Sequence, residues 1–168
     1  MFLPEGPLKF DDLLNQVVLI VGLGREGQAV AERLLAEGPP KLVLGLSEQL
    51  DAAAQEFNSR FPMIPLFYPG SDIFFPPQCE EASVAIMSPG IPRSGRLYSE
   101  ISDRNIIRTS GSAMFVADHG QSVIGVTGSK GKSTTTSLLH SLLSASGCSV
   151  EQGGNMGVPV QSLGDAEF

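Results

Sequence analysis

Little in this chain suits a metal site or a disulfide framework. Cysteine occurs twice, at Cys79 and Cys148, and histidine twice, at His119 and His140. Neither pair has metal-ligand spacing, so no structural zinc is expected, and isolated thiols fit a reduced compartment. Charge is also scarce: 17% of residues are charged, and eleven basic against eighteen acidic residues leave a net charge of -7. A general nucleic-acid binder carries a basic patch, so that function is not expected. Disorder is not expected either, because 42% of the residues are hydrophobic and disordered chains are poorer in them. No apolar run reaches membrane-spanning length. The opening MFLPEGPLKFDDLL lacks the basic-then-apolar order of a secretory signal. The expected location is the cytoplasm, with no stable membrane insertion. An acidic balance still permits an anionic ligand, because backbone N–H groups and one or two local cations can hold phosphate.

What is present is a repeated alternation of short apolar runs, glycine turns and helical patterns. Residues 17–21, VVLIV, read as a strand, followed by Gly22, Gly24 and Gly27 and then a helix over 25–37 with Val30, Leu34 and Leu35 on one face. Gly38-Pro39-Pro40 ends it. A second strand is expected at Lys41–Leu46 and a helix over 47–60 with Ser47 as its cap. A short strand is expected near Ile64–Phe67, another at Val84–Met87, a helix over 95–104 and a strand at Ile106–Arg108. This is an α/β fold with a Rossmann-like, mostly parallel sheet. The pattern restarts near residue 121, with strands at Val123–Val126 and 148–152 flanking a helix from Lys132 to about Ser146. Two units are therefore expected, 1–112 and 113–168, the second the incomplete beginning of a phosphate-loop α/β domain.

The strongest chemical signal is GVTGSKGKSTTT at 125–136. A glycine turn followed by a helix directs N–H groups at phosphate oxygens, Lys132 neutralises the β- and γ-phosphates, and the Ser133 hydroxyl takes a magnesium position. The usual pattern would put its first glycine at 126, where Val126 stands; the glycines fall at 125, 128 and 131 instead. The plain alternative is an ordinary glycine turn. Lys130 either adds positive potential or faces water.

Gly22-Leu-Gly24-Arg-Glu-Gly27 is a GxGxxG after a first strand, a loop that suits a pyrophosphate or simply tight packing. A dinucleotide fingerprint also asks for a carboxylate at the end of the second strand. Leu44-Gly45-Leu46 stands there, with Glu48 the nearest acid, which disfavours NAD. Ser88-Pro89-Gly90 ends another strand at the edge where such sheets bind ligands; Ser88 can donate to a phosphate and Gly90 can expose backbone. Arg93 and Arg96 either reach an anion or face solvent. Asn155 in Gly153-Gly154-Asn155 is either a polar ligand contact or a turn residue. His119 and His140 fit solvent or packing roles.

VVLIVGLGREG at 17–27, SPGIP at 88–92, GVTGSKGKSTTT at 125–136 and GGNMGVP at 153–159 occur together and in order. In this the sequence resembles the Mur ligases, and within them the branch that adds D-glutamate. TSGSAMF at 109–115 also looks like the domain junction of some branches. Similar phosphate loops occur in the other Mur ligases and in folylpolyglutamate synthases, so another amide ligase of that superfamily, or a non-catalytic nucleotide-binding module, is the alternative. The resemblance implies a uridine-nucleotide-binding first domain and a central domain that binds ATP and Mg2+. It implies a peptidoglycan-building reaction in which ATP activates the alanyl carboxylate of UDP-N-acetylmuramoyl-L-alanine and D-glutamate attacks the acyl phosphate. Carried over by motif, Gly24, Arg25, Glu26, Ser88, Gly90 and Asn155 contact the UDP-linked substrate. Gly128, Ser129, Lys130, Gly131, Lys132, Ser133 and Thr134 hold ATP, with Lys132 and Ser133 catalytic and Ser133 at the metal. Further ligands and a closing domain that the resemblance calls for are not among these 168 residues. The chain is therefore expected to be an N-terminal fragment, inactive alone, of a protein that is monomeric at full length.

Overall fold

The computed structural model describes residues 6–36, 42–47, 49–68, 75, 77–154 and 157–163. Five strands form one parallel sheet: β1 (Val17–Val21), β2 (Leu42–Leu46), β3 (Leu66–Phe67), β4 (Val84–Met87) and β5 (Ile107–Thr109), in the order β3-β2-β1-β4-β5. All five residues of β1 are buried, which is why its sequence is continuously apolar rather than alternating. Its side chains divide between two cores. Val18 and Ile20 meet Val30, Leu34, Phe57 and Met114, whereas Leu19 and Val21 meet Leu44, Leu46, Leu97 and Ile101.

The helical partners among them cover opposite faces of the sheet. Helices α1 (Arg25–Ala36) and α2 (Ala52–Arg60) supply Val30, Leu34 and Phe57 to the first group, and α3 (Arg96–Ser102) supplies Leu97 and Ile101 to the second. Right-handed crossovers running outward from β1 in both directions require this. The strand order therefore reverses between β1 and β4, which is the switch point of a doubly wound sheet.

The expected Rossmann-like α/β architecture is present, with several local differences. Helix α2 starts at Ala52 rather than 47, and its cap is Asp51, whose side chain accepts from the Ala54 N–H at 2.9 Å. Ser47 is not the cap because its N–H still belongs to the sheet, donating to the Phe67 carbonyl at 3.1 Å. The expected stop at Gly38-Pro39-Pro40, and Lys41 and Glu48, lie outside the described residues. A fourth helix, α4 (Gly111–His119), occupies the stretch read from sequence as a junction. Ser110 caps it by accepting from the Ala113 N–H at 3.2 Å.

Helix α5 (Lys132–Ala145) forms where expected, but Val123–Val126 and 148–152 are not strands. A strand needs a hydrogen-bonded neighbour, and the sheet ends at β5 without reaching either stretch. Beyond α5, a 3-10 turn at Val160–Ser162 packs against α1 and α4.

Candidate functional site

The two motifs of the first sequence unit, sixty-odd residues apart, meet at the carboxyl edge of the sheet. A crevice of about 390 Å³ is lined by Gly22, Gly24, Arg25 and Glu26 after β1, and by Ser88, Gly90 and Ile91 after β4. It sits at the switch point, where the two diverging crossovers leave an opening.

Backbone geometry explains the glycine spacing. The Gly22 N–H continues the ladder to the Leu46 carbonyl at 3.0 Å, then the chain turns sharply into α1. A Cβ at Gly27 would lie 2.2 Å from the Gly22 carbonyl oxygen, so only glycine allows the helix to start this close to the strand. The first intrahelical bond, Gln28 N–H to Gly24 carbonyl at 2.9 Å, leaves the N–H groups of the preceding turn at the crevice. Opposite them, the Ser88 hydroxyl donates to the Gly22 carbonyl at 2.8 Å. Glu26 also lines the crevice, and burial raises its carboxyl pKa from its ordinary value.

Gly24, Arg25, Glu26, Ser88 and Gly90 are thus brought together; Asn155 lies outside the described residues. Arg93 and Arg96 do not line the crevice, and Arg96 instead stands 3.8 Å from Glu100 one turn along α3. Sequence reasoning missed Ser47, Gln49 and Asp51, which line the side after β2. The signal was available: the segment after β2 ends at the same sheet edge as the two motifs.

The loop expected to hold phosphate lies outside that crevice and is open. Gly131 has φ +79°, a conformation that suits glycine, and serves as the N-cap of α5. The Thr135 N–H bonds to the Gly131 carbonyl at 2.9 Å, so the N–H groups of Lys132, Ser133 and Thr134 fall in the first turn, where helices have no internal partner for them. Lys132 bends its ammonium onto the Gly128 carbonyl at 2.5 Å, holding cation and turn together. Gly128, Ser129, Lys130, Gly131, Lys132, Ser133 and Thr134 are all exposed. This turn, cation and helix start suit phosphate oxygens. For a magnesium ion the loop offers Ser133; among the described residues no group of three His, Cys, Asp or Glu side chains could hold a metal.

The histidines take no part in either site. His119 lies 3.2 Å from the Arg33 guanidinium and stacks at 4.6 Å on Phe115. His140 faces an apolar cavity of about 340 Å³ between α4 and α5. Cys79 is buried, which pushes its thiol pKa up to about 11.

Comparison with curated proteins decides the relationship. The chain is 36% identical over 161 residues to the UDP-N-acetylmuramoyl-L-alanine–L-glutamate ligase of a Micromonospora species, and 33% identical to the ligase of the same name from Salinispora tropica. Each match covers 96% of this chain and 35% of the relative. The UDP-N-acetylmuramoylalanine–D-glutamate ligase of Parasynechococcus marenigrum is 32% identical over 86% of this chain and 32% of its own length. The chain is related to the Mur ligases. It spans about a third of the length of these curated relatives. No protein-family model matches it. The solved murein peptide ligase of Psychrobacter arcticus superposes with a TM-score of 0.49 at 20% identity, over 79% of this chain and 27% of that one. Among the described residues, no helix is long and apolar enough to cross a membrane.

Proposed function

We propose that this chain carries the nucleotide-substrate crevice and the phosphate loop of an ATP-dependent amide ligase acting on UDP-N-acetylmuramoyl-L-alanine. The observation that carries the reading is the convergence of residues 22–27 and 88–92 on one crevice at the switch point. In this reading residues 1–112 hold the UDP-linked substrate and residues 113–168 contribute the start of the ATP-binding domain. Gly24, Arg25 and Glu26 face the uridine diphosphate, with Ser88 and Gly90 beside it.

The reaction is an amide ligation. The alanyl carboxylate attacks the γ-phosphate of ATP, ADP leaves, and the amine of glutamate displaces phosphate from the acyl phosphate. Lys132 balances charge on the transferring phosphate, and the loop N–H groups orient it. Magnesium, held in part by Ser133, would add further charge neutralisation. Residues 1–168 alone are expected not to ligate. The relatives divide over the amino acid: those from Micromonospora and Salinispora are named for L-glutamate, and that from Parasynechococcus for the D-enantiomer that the motifs suggest. Ligation assays on a longer form of the protein with each enantiomer settle that choice.

The crevice itself is tested in the present chain. Titration with UDP should shift the amide signals of Gly24–Gly27 and Ser88–Gly90, whereas NADH should move them weakly. Preferential binding of NADH would refute the nucleotide-sugar reading.

A further inference from the structure

We infer that Ser88 is a positioning residue. Its hydroxyl clamps the Gly22 carbonyl and thereby fixes the glycine loop against the ligand, instead of donating to a phosphate. The identity of the ligand rests on the reading proposed above; the clamp rests on geometry alone.

The Ser88 oxygen lies 2.8 Å from the Gly22 carbonyl oxygen. A carbonyl only accepts, so the hydrogen between them belongs to Ser88. A serine hydroxyl has one hydrogen, and none is left for a phosphate oxygen. The backbone of Ser88 is equally committed. Its N–H donates to the Val21 carbonyl at 2.9 Å, and its carbonyl accepts from Ile91 at 3.1 Å. Swinging the side chain towards the crevice would therefore break the bond without freeing the residue.

The clamped carbonyl has little room. A Cβ at Gly22 would stand 2.9 Å from the Ser88 Cβ, and one at Gly27 would stand 2.2 Å from the Gly22 oxygen. The carbonyl is thus held between the first turn of α1 and the end of β4. Gly22 lines the crevice. Left unpaired, its oxygen would present a negative dipole end beside a bound diphosphate. The Ser88 hydrogen occupies that oxygen and holds the turn whose N–H groups face the ligand. The SPG after β4 therefore acts on the ligand through the GLG after β1.

The test uses isotope-labelled protein, wild type and three variants, S88A, S88T and S88C, with and without UDP. Without ligand, S88A should move the Gly22 carbonyl carbon signal upfield, and S88T, which keeps the hydroxyl, should restore it. UDP affinity should fall roughly tenfold in S88A, the scale of one lost hydrogen bond, and return in S88T. A Gly22 carbonyl signal unchanged in ligand-free S88A would overturn the clamp, and that signal with weakened UDP binding is what direct donation to phosphate would give. Wild-type UDP affinity in S88A would also overturn it. Should S88A not fold, S88C reports the same carbon through its weaker donor, with a smaller shift expected and no shift overturning the clamp. Failure of wild-type protein to bind UDP would remove the proposed ligand, while the ligand-free Gly22 signal would still decide the role of Ser88.

Discussion

Residues 17–36 and 123–145 are written in the same local code: an apolar stretch, a glycine turn, then a helix. They end in different surroundings. In the first, the apolar stretch is β1, paired on both sides by β2 and β4, and α1 buries Val30, Ala31 and Leu34. In the second, the apolar stretch pairs with no strand of the sheet, and α5 has no buried residue, with Leu138 and Leu142 each 60% exposed. The turns differ in the same way. The first is fastened by remote groups, the Leu46 carbonyl and the Ser88 hydroxyl, and the second by its own Lys132. Glycine turns and helix starts are thus local properties, whereas a strand exists only where a neighbour accepts its hydrogen bonds.

The largest effect that can break this comparison is on stability. Leu19 is fully buried, so Leu19→Ala should cost about 2–5 kcal/mol in chemical denaturation. Leu138→Ala on exposed α5 should stay within about 0.5 kcal/mol. Equal losses would mean that α5 is buried in solution and that the contrast is wrong.

Next in size is the separation of the two sites. In a longer, ligating form of the protein, Lys132→Ala should lower turnover on the order of a hundredfold, as for loss of a charge-stabilising group. The same variant should bind UDP as wild type does, because the crevice after β1 and β4 does not include Lys132. Normal turnover would remove the phosphate-loop assignment, and a matching loss of UDP affinity would show the sites to be coupled.

The sequence was most informative where pattern and chemistry coincide. VVLIV before GLGREG identified the central strand and the turn, because a doubly covered parallel strand is apolar throughout. The meeting of Gly24 and Ser88 was legible from the rule that ligands bind at the carboxyl edge. Three features were not. Asp51 rather than Ser47 caps α2, since both residue types suit a cap and only the reach of β2 distinguishes them. Helix α4 was hidden behind two early glycine and serine residues that read as a junction. The commitment of the Ser88 hydrogen to Gly22 depends on a contact 66 residues away, which no local pattern encodes.

The smallest expected effect concerns the turn beyond α5, where it packs on α1 and α4. Gln161, in the turn at Val160–Ser162, is 6% exposed, and both its amide nitrogen and its amide oxygen lack a hydrogen-bond partner. It packs where Gly111 opens α4, so closely that a Cβ at Gly111 would fall 2.3 Å from its nitrogen and 2.7 Å from Val30. Burying an unpaired polar group costs about 1–3 kcal/mol, and replacing it by an apolar group of similar shape removes that cost. Gln161→Leu deletes both unpaired atoms and branches one carbon nearer the backbone, leaving an apolar side chain of roughly similar bulk. The gain is reduced by imperfect fit of the two methyl groups, leaving about 1 kcal/mol of added stability, or roughly 2–4 °C in Tm for a chain of this size. Gly111→Ala in the wild-type background should do the reverse, because its new methyl group meets Gln161 and Val30 together. Thermal unfolding of the three proteins side by side measures both. A lower Tm for Q161L would show that the amide is satisfied in solution. The turn would then be firmly docked on α1 and α4 rather than held around an unpaired amide.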